Sequence, residues 1–190
     1  MLSRNRKRLY IGAVLAALLQ TGVLFGAVEK RAYILRGGQE VVLQTEPVDP
    51  RDLMRGDYVT LRYQISSIKR DAIRGVPAAG DRNLYVAVKP DGDGFAQFSR
   101  AAFAPFTDLS DGEVQLRGKA VNTIPNASGA IIGVLYGIER YYVPEGEGRR
   151  VERAQQAKRI TAVVAVDPDG HAVLKSLRDN GRQLYAEPLY

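Results

Sequence analysis

Any chemistry in this chain would have to come from a short list of side chains. There is one histidine, His171, and no cysteine. A zinc site would therefore lean on carboxylates, which zinc sites seldom do. A Ser-His-Asp triad would need His171 as its base, yet no Gly-x-Ser-x-Gly elbow presents a nucleophile. His171 follows a Pro-Asp-Gly turn and is expected to be exposed. No Walker A loop occurs, and no Gly-x-Gly-x-x-Gly follows a strand and opens a helix. Gly146 and Gly148 belong to an acidic turn that would repel phosphate. Asp91 and Asp93 in PDGDG lack the downstream glutamate of an EF-hand loop and read as turn residues. No catalytic residue, metal or cofactor is expected on these grounds.

The groups left over are tyrosines, arginines and a turn. Gly56 to Tyr63 reads GDYVTLRY. Its candidate residues are Gly56, Asp57, Tyr58, Leu61, Arg62 and Tyr63, and Tyr136, Arg140 and Tyr141 join them further on. Buried, such tyrosines would pack a core and send their hydroxyls to partners at its edge. Exposed, Tyr and Arg are the usual anchors of a protein–protein interface. Both readings stand at this stage. A separate reading gives Asp49, Asp52, Asp57 and Lys69 to a hydrolase of unfamiliar type, which would require them to line one cleft.

The elements that must position these groups are mostly strands. Gly56-Asp57 is a turn pair, and the residues after it are rich in β-branched and aromatic types. Residues 58–65 alternate, with Val59, Leu61, Tyr63 and Ile65 on one face, the period of a half-buried strand. Further strands are expected at 41–45, 84–88, 95–98, 114–121, 129–136, 139–143, 160–166, 172–177 and 183–186. Pro90 to Gly94, Pro168 to Gly170 and Asn180-Gly181 supply hairpin turns. Residues 68–82 read as a polar connection, 99–106 as a short helical turn, and 151–158 as a short helix.

The chain also resembles itself. At a shift of 78 residues Tyr58, Arg62 and Tyr63 fall on Tyr136, Arg140 and Tyr141, and Pro90-Asp-Gly92 falls on Pro168-Asp-Gly170. Two related, duplicated β units are expected, 36–106 and 113–190, each too small to bury much alone. At that shift Val134-Leu135 stands where the first unit has Gly56-Asp57.

The net charge of +6 is concentrated at one end: Arg4, Arg6, Lys7 and Arg8 are four of the 27 basic residues, against 21 acidic ones in all. The rest of the chain is nearly balanced, which speaks against nucleic acid as a partner. After this basic stretch, residues 1–8, the run from Leu9 to Val28 (9–28) carries no charge. At about 1.5 Å per residue it matches a hydrocarbon core about 30 Å thick. It reads as an uncleaved transmembrane helix in the lipid bilayer, longer than the apolar part of a signal peptide. Basic residues before it place the N-terminus in the cytoplasm, so the rest lies outside the inner, cytoplasmic membrane. The expected fold class is mainly β: one transmembrane helix, then a β-rich domain with at most short helices.

Gly56 to Tyr63 matches, at every fixed position, the pattern that names the GDYXXLXY protein family. The segments PVDPRDLMR (47–55) and YGIERYYVPEGEG (136–148) are similar to family sequence too. The resemblance implies membrane attachment and proximity to multi-pass membrane proteins, and it supplies no catalytic residue. A weaker likeness is to membrane-anchored signal peptidases. Pro50 to Asp57 resembles their Pro-x-Leu-x-x-Gly-Asp run with one residue too many, and Lys69-Arg70 with Pro77 to Asp81 resembles a later motif. Val48 and Asp49 stand where the nucleophilic serine and its neighbour belong, so a lysine base would have nothing to activate. The expectation is a non-catalytic, membrane-anchored accessory or binding protein of the bacterial envelope, docking on another membrane protein. An extracytoplasmic hydrolase is the alternative. Recognition of an acidic envelope polymer is a third reading, and would need the domain's arginines on one face.

Overall fold

The computed structural model describes residues 2–47, 58–121, 129–142 and 148–187. Helix α1 spans Leu2–Gly37. Its 30 residues Arg8–Gly37 are long and apolar enough to cross a membrane, and contain the expected span 9–28. This N-terminal helix could be a membrane anchor or a signal sequence. Leu9, Leu19 and Phe25 are about 70% exposed (72%, 70% and 69%), so the domain itself leaves this stretch uncovered. The last turns behave differently. Ile34 and Leu35 are buried in a cluster with Ala165 and Val173, and Arg31 pairs with Glu187 at 3.2 Å. Gly38 ends the helix, donating its N–H to the Ile34 carbonyl at 2.8 Å. A Cβ here would stand 2.6 Å from that oxygen and 2.9 Å from the Val166 nitrogen, so only glycine fits.

The rest is mainly β. One sheet has five strands in the order β13-β12-β11-β1-β3. Its strands are β1 (Gln39–Glu46), β3 (Arg62–Tyr63), β11 (Ile160–Val166), β12 (Ala172–Asp179) and β13 (Arg182–Ala186). A second has six, in the order β4-β9-β8-β6-β7-β5. These are β4 (Ser67–Lys69), β5 (Ile73–Arg74), β6 (Asn83–Pro90), β7 (Ala96–Ala102), β8 (Val114–Ala120) and β9 (Ile131–Leu135). Its two outer strands are joined by a single 3-10 turn, Arg70–Ala72, so the sheet curls into a nearly closed barrel. A two-stranded pair, β2 (Tyr58–Thr60) with β10 (Arg140–Tyr142), and helix α2 (Gly148–Gln156) complete the fold.

One apolar core runs through these sheets. Val59, Leu61, Tyr63 and Ile65 all enter it, as the alternation expects. The strand expected over 58–65 is nevertheless interrupted. Its first part pairs with β10 and its second with β1, while the Leu61 N–H between them reaches the Glu139 carbonyl at 2.7 Å. The helical turn expected at 99–106 is absent, because β7 continues to Ala102 along β6. Arg100 then holds the following loop through Asp108 at 3.0 Å and Glu113 at 2.9 Å. Helix α2 buries Val151 and Ala154. Its Gln155 side chain donates to the carbonyls of Glu46 and Thr60, at 3.1 and 3.3 Å.

The pairings recur with fixed offsets. Glu46 opposite Arg62 becomes Lys119 opposite Leu135, 73 positions on. Ser67 opposite Gly133 is matched by Arg140 opposite Thr60, the same 73 apart. Tyr85 opposite Ala102 becomes Thr161 opposite Arg178, 76 positions on, and the β-bulge between Ala87 and Val88 recurs between Val163 and Val164. The shift of 78 read from the sequence does not describe these registers. At 73 the residue answering Gly56 is Gly129, with φ +76°, and Tyr63 answers to Tyr136 rather than Tyr141. The strands of the two halves also interleave, since β1 pairs with β11 and β6 with β8.

Glu113 marks where acid should act on this fold. Hydrogen bonds from Ser99 and the Ser110 N–H, with Arg100 beside it, hold its carboxyl down to about 2. A depressed folded-state value stabilises the fold above the unfolded carboxyl's range, and that stability is lost as pH falls toward about 2. Glu113→Gln is expected to lower Tm at neutral pH and to flatten the fall of Tm below about pH 4.5, the ordinary value. Thermal melts of both proteins across that range check it.

Candidate functional site

The motif strand delivers its inward residues to the centre of the molecule. The Tyr63 hydroxyl donates to the Ile138 carbonyl at 2.6 Å, and the Tyr136 hydroxyl donates to the Ile65 carbonyl at 2.7 Å. The two bonds are reciprocal, because each acceptor lies two residues beyond the other tyrosine. Each tyrosine's own N–H then donates to a side chain three residues on, Tyr63 to the Ser66 hydroxyl and Tyr136 to the Glu139 carboxylate. Burial, with Glu139 nearby, pushes both phenols well above the usual tyrosine range, so neither ionises. Tyr141 is raised by burial too and meets Tyr185 edge-on at 5.1 Å. Among the described residues its buried hydroxyl finds no hydrogen-bond partner.

This placement sorts the candidate residues. Leu61, Tyr63, Tyr136 and Tyr141 are all core. Their side chains pack the fold, and Tyr136 also borders the cleft described below. Arg62 is exposed, 3.5 Å from Glu46 and bonded to the Ser67 hydroxyl at 2.7 Å. Arg140 is exposed opposite Thr60. Gly56 and Asp57 lie outside the described residues, as does the side chain of Tyr58, whose backbone pairs with Tyr142. Of the hydrolase candidates, Asp49, Asp52 and Asp57 lie outside them as well, and Lys69 sits exposed on β4 opposite Ile131.

Beside the motif strand opens a cleft of about 920 Å³, and it gathers residues that sequence reasoning did not bring together. Thr60 and Arg140 come from the β2–β10 pair, Arg117 and Lys119 from the outward face of β8, Asn83 from β6, and His171 from the β11–β12 turn. His171 is half-buried rather than free in solvent. Its ring Nδ1 lies 3.0 Å from the Asp167 carboxylate, and its N–H donates to the same group at 2.8 Å. Nε2 faces Arg117 at 3.5 Å, and the guanidinium also reaches the Asn83 side-chain oxygen at 3.3 Å. Glu139 is the acid in the lining, and its oxygens accept the N–H groups of Tyr136 and Gly137. The geometry suits binding of an anion. An Asp-His pair is present, but its outer nitrogen points at a cation and not at a hydroxyl.

Asp167, Asp169 and His171 place three possible metal-ligand atoms within 4.8 Å. Asp167 is already committed to the turn, through the backbone and ring of His171, and Asp169 is exposed, so nothing here requires an ion. Asp91 does the same turn work: the Gln97 side chain donates to it at 2.9 Å, as do the N–H groups of Phe95 and Asp93 at 2.9 and 3.0 Å, and together they lower its carboxyl below the ordinary range. The missed residues had one signal in the sequence. Arg117 and Lys119 alternate with the apolar positions of β8, but a solvated face looks the same.

A family model described as GDYXXLXY protein matches residues 20–177. No curated protein and no solved structure matches the chain.

If the tyrosine hydroxyls hold the core, each is worth a measurable amount. Tyr63→Phe and Tyr136→Phe should each destabilise the domain by about 1–3 kcal/mol, the cost of leaving a buried carbonyl unpaired. Urea unfolding should show this as a lower midpoint with an unchanged slope.

Proposed function

The chain belongs to the GDYXXLXY protein family, and on that premise we propose that it is a membrane-anchored accessory or binding protein of the cell envelope. It is held by residues 9–28 in the cytoplasmic membrane, with the N-terminus inside and the β domain outside, and it docks on another, multi-pass membrane protein. The observation that carries this reading is the junction of helix and domain. An apolar stretch that the domain leaves bare is joined, without a flexible linker, to turns packed on Ala165 and Val173 and tied to Glu187. A domain fixed that way presents one face to whatever lies beside it in the bilayer. Arg62 and Arg140 project from the outward side of the motif strands and are the contacts assigned to the partner.

The same reading takes the recurring registers as a duplication, with units 36–106 and 113–190 as its two copies. Interleaved strands and the reciprocal tyrosine bonds support a pair that evolved together as one body.

The test is a pull-down of the tagged full chain from its own membranes beside an Arg62→Ala, Arg140→Ala double variant. A membrane partner in near-equal amount with the wild type, lost from a variant of unchanged Tm, is the expected outcome. Recovery of no partner in several mild detergents would overturn the proposal.

A further inference from the structure

We propose that the cleft between β8, β10 and the β11–β12 turn binds a phosphate ester, with Arg117 as the central contact and Lys119, Arg140 and His171 beside it. The site shares Arg140 with the proposed docking face, but it rests on Arg117, which is no part of that face, and stands whether or not a protein partner exists.

The first support is Arg117 itself. It is half-buried, and a buried cation is costly unless paired. Among the described residues no carboxylate pairs with it. Its contacts are the Asn83 oxygen and a histidine nitrogen, at 3.3 and 3.5 Å, both long. A guanidinium has five donor hydrogens in a fixed fork, so most of them are still available to a planar or tetrahedral oxyanion. Lys119 lines the same wall and is exposed, and Arg140 lines the wall opposite. The acid of the lining, Glu139, has its oxygens occupied by its own loop.

The second support is a comparison within the molecule. A cleft of about 540 Å³ lies between β1, β11 and the β6–β7 turn, lined by Gln44, Thr45, Gln64 and Phe95 among others. By the 73 and 76 offsets these answer to Arg117, Gly118, Gly137 and His171. Glu46 likewise answers to Lys119. Asp91 and Asp167 build the same turn in both places, each accepting the N–H four residues on, at 2.9 and 2.8 Å. The scaffold thus stands with glutamine, glutamate and phenylalanine where this cleft has arginine, lysine and histidine. The fold does not need those side chains, and two of the three differences, at Arg117 and Lys119, raise positive charge in this cleft. The related cleft has cations of its own, Lys158, Arg159 and Arg178; by the 76 offset Arg159 answers to Asn83 here, a difference of opposite sign, and it is paired with Asp179 at 3.2 Å.

The volume, about 920 Å³, exceeds what a bare phosphate fills and leaves room for its esterified group. Asp167 holds His171 at Nδ1, which leaves Nε2 facing the ligand and Arg117. A lipid headgroup and a soluble ester share this chemistry.

His171 is the chain's one histidine, so its ring resonances in untagged protein report on this cleft alone. Glycerol 3-phosphate titrated into the full chain in maltoside micelles, and transfer into nanodiscs containing phosphatidylglycerol, are the two arms. The expected result is a saturable movement of the His171 ring resonances. Arg117→Gln, which installs the residue of the related cleft, should weaken it about tenfold or more, the effect of one lost charge-assisted bond. Lys158→Gln should leave it unchanged. A shift in nanodiscs without added ester, lost in Arg117→Gln, assigns the site to lipid; a shift with glycerol 3-phosphate alone assigns it to a soluble ester. No saturable shift in either arm, or equal affinity in Arg117→Gln at unchanged Tm, overturns the proposal.

Discussion

Two buried hydroxyls fix how this domain closes. Tyr63 donates to the carbonyl at 138, and Tyr136 donates to the carbonyl at 65. Neither tyrosine has water to fall back on, so a shift of one strand past the other would orphan a donor and an acceptor together. Two residues upstream of Tyr63, Leu61 is 1% exposed, and its N–H is spent on Glu139. The family's defining leucine and final tyrosine are thus accounted for by packing and hydrogen bonding. Function has to be sought in what surrounds them.

That constraint explains which parts of the molecule could be read from sequence. The inward face of 58–65 follows from alternation alone. So do strand β11, whose expected and observed ends coincide, and the last hairpin, where Asn180 and Gly181 adopt φ values of +49° and +79°. Local turn chemistry and period carry this information. What the sequence hid depends on distant partners. Strands β4 and β5 have only 3 and 2 residues, and exist because β9 and β7 present edges to them. The interruption at Leu61 reflects a change of partner, invisible to a propensity argument. The strand registers do not follow the shift read from the sequence. Some strand pairings repeat at 73 positions and others at 76, whereas common Pro-Asp-Gly turns draw an ungapped comparison to 78.

The candidate site was less legible than the fold for the same reason. Arg117, Lys119, Asn83 and His171 are separated along the chain and meet only through the β8–β6 pairing and the turn that leans on β8. That turn is held closely: the Arg117 N–H donates to the Gly170 carbonyl at 2.7 Å, and a Cβ on Gly170, at φ +88°, would stand 2.9 Å from the Arg117 nitrogen. Glycine there brings His171 up to Arg117, so backbone sterics set the electrostatics of the cleft. At the other end of the domain, α1 is fastened by the same kind of close approach at Gly38. Helix end, core and cleft are therefore joined through close backbone contacts.

The most direct test of this account is native-state amide exchange across the full chain in increasing denaturant. If the halves are locked through β1–β11, β6–β8 and the paired tyrosines, the slowest amides of β1, β6, β8 and β11 should exchange in a single cooperative opening with one shared free energy. Two separate openings, with residues 39–102 exchanging at a lower free energy than residues 114–179, would contradict it and show two units that merely touch.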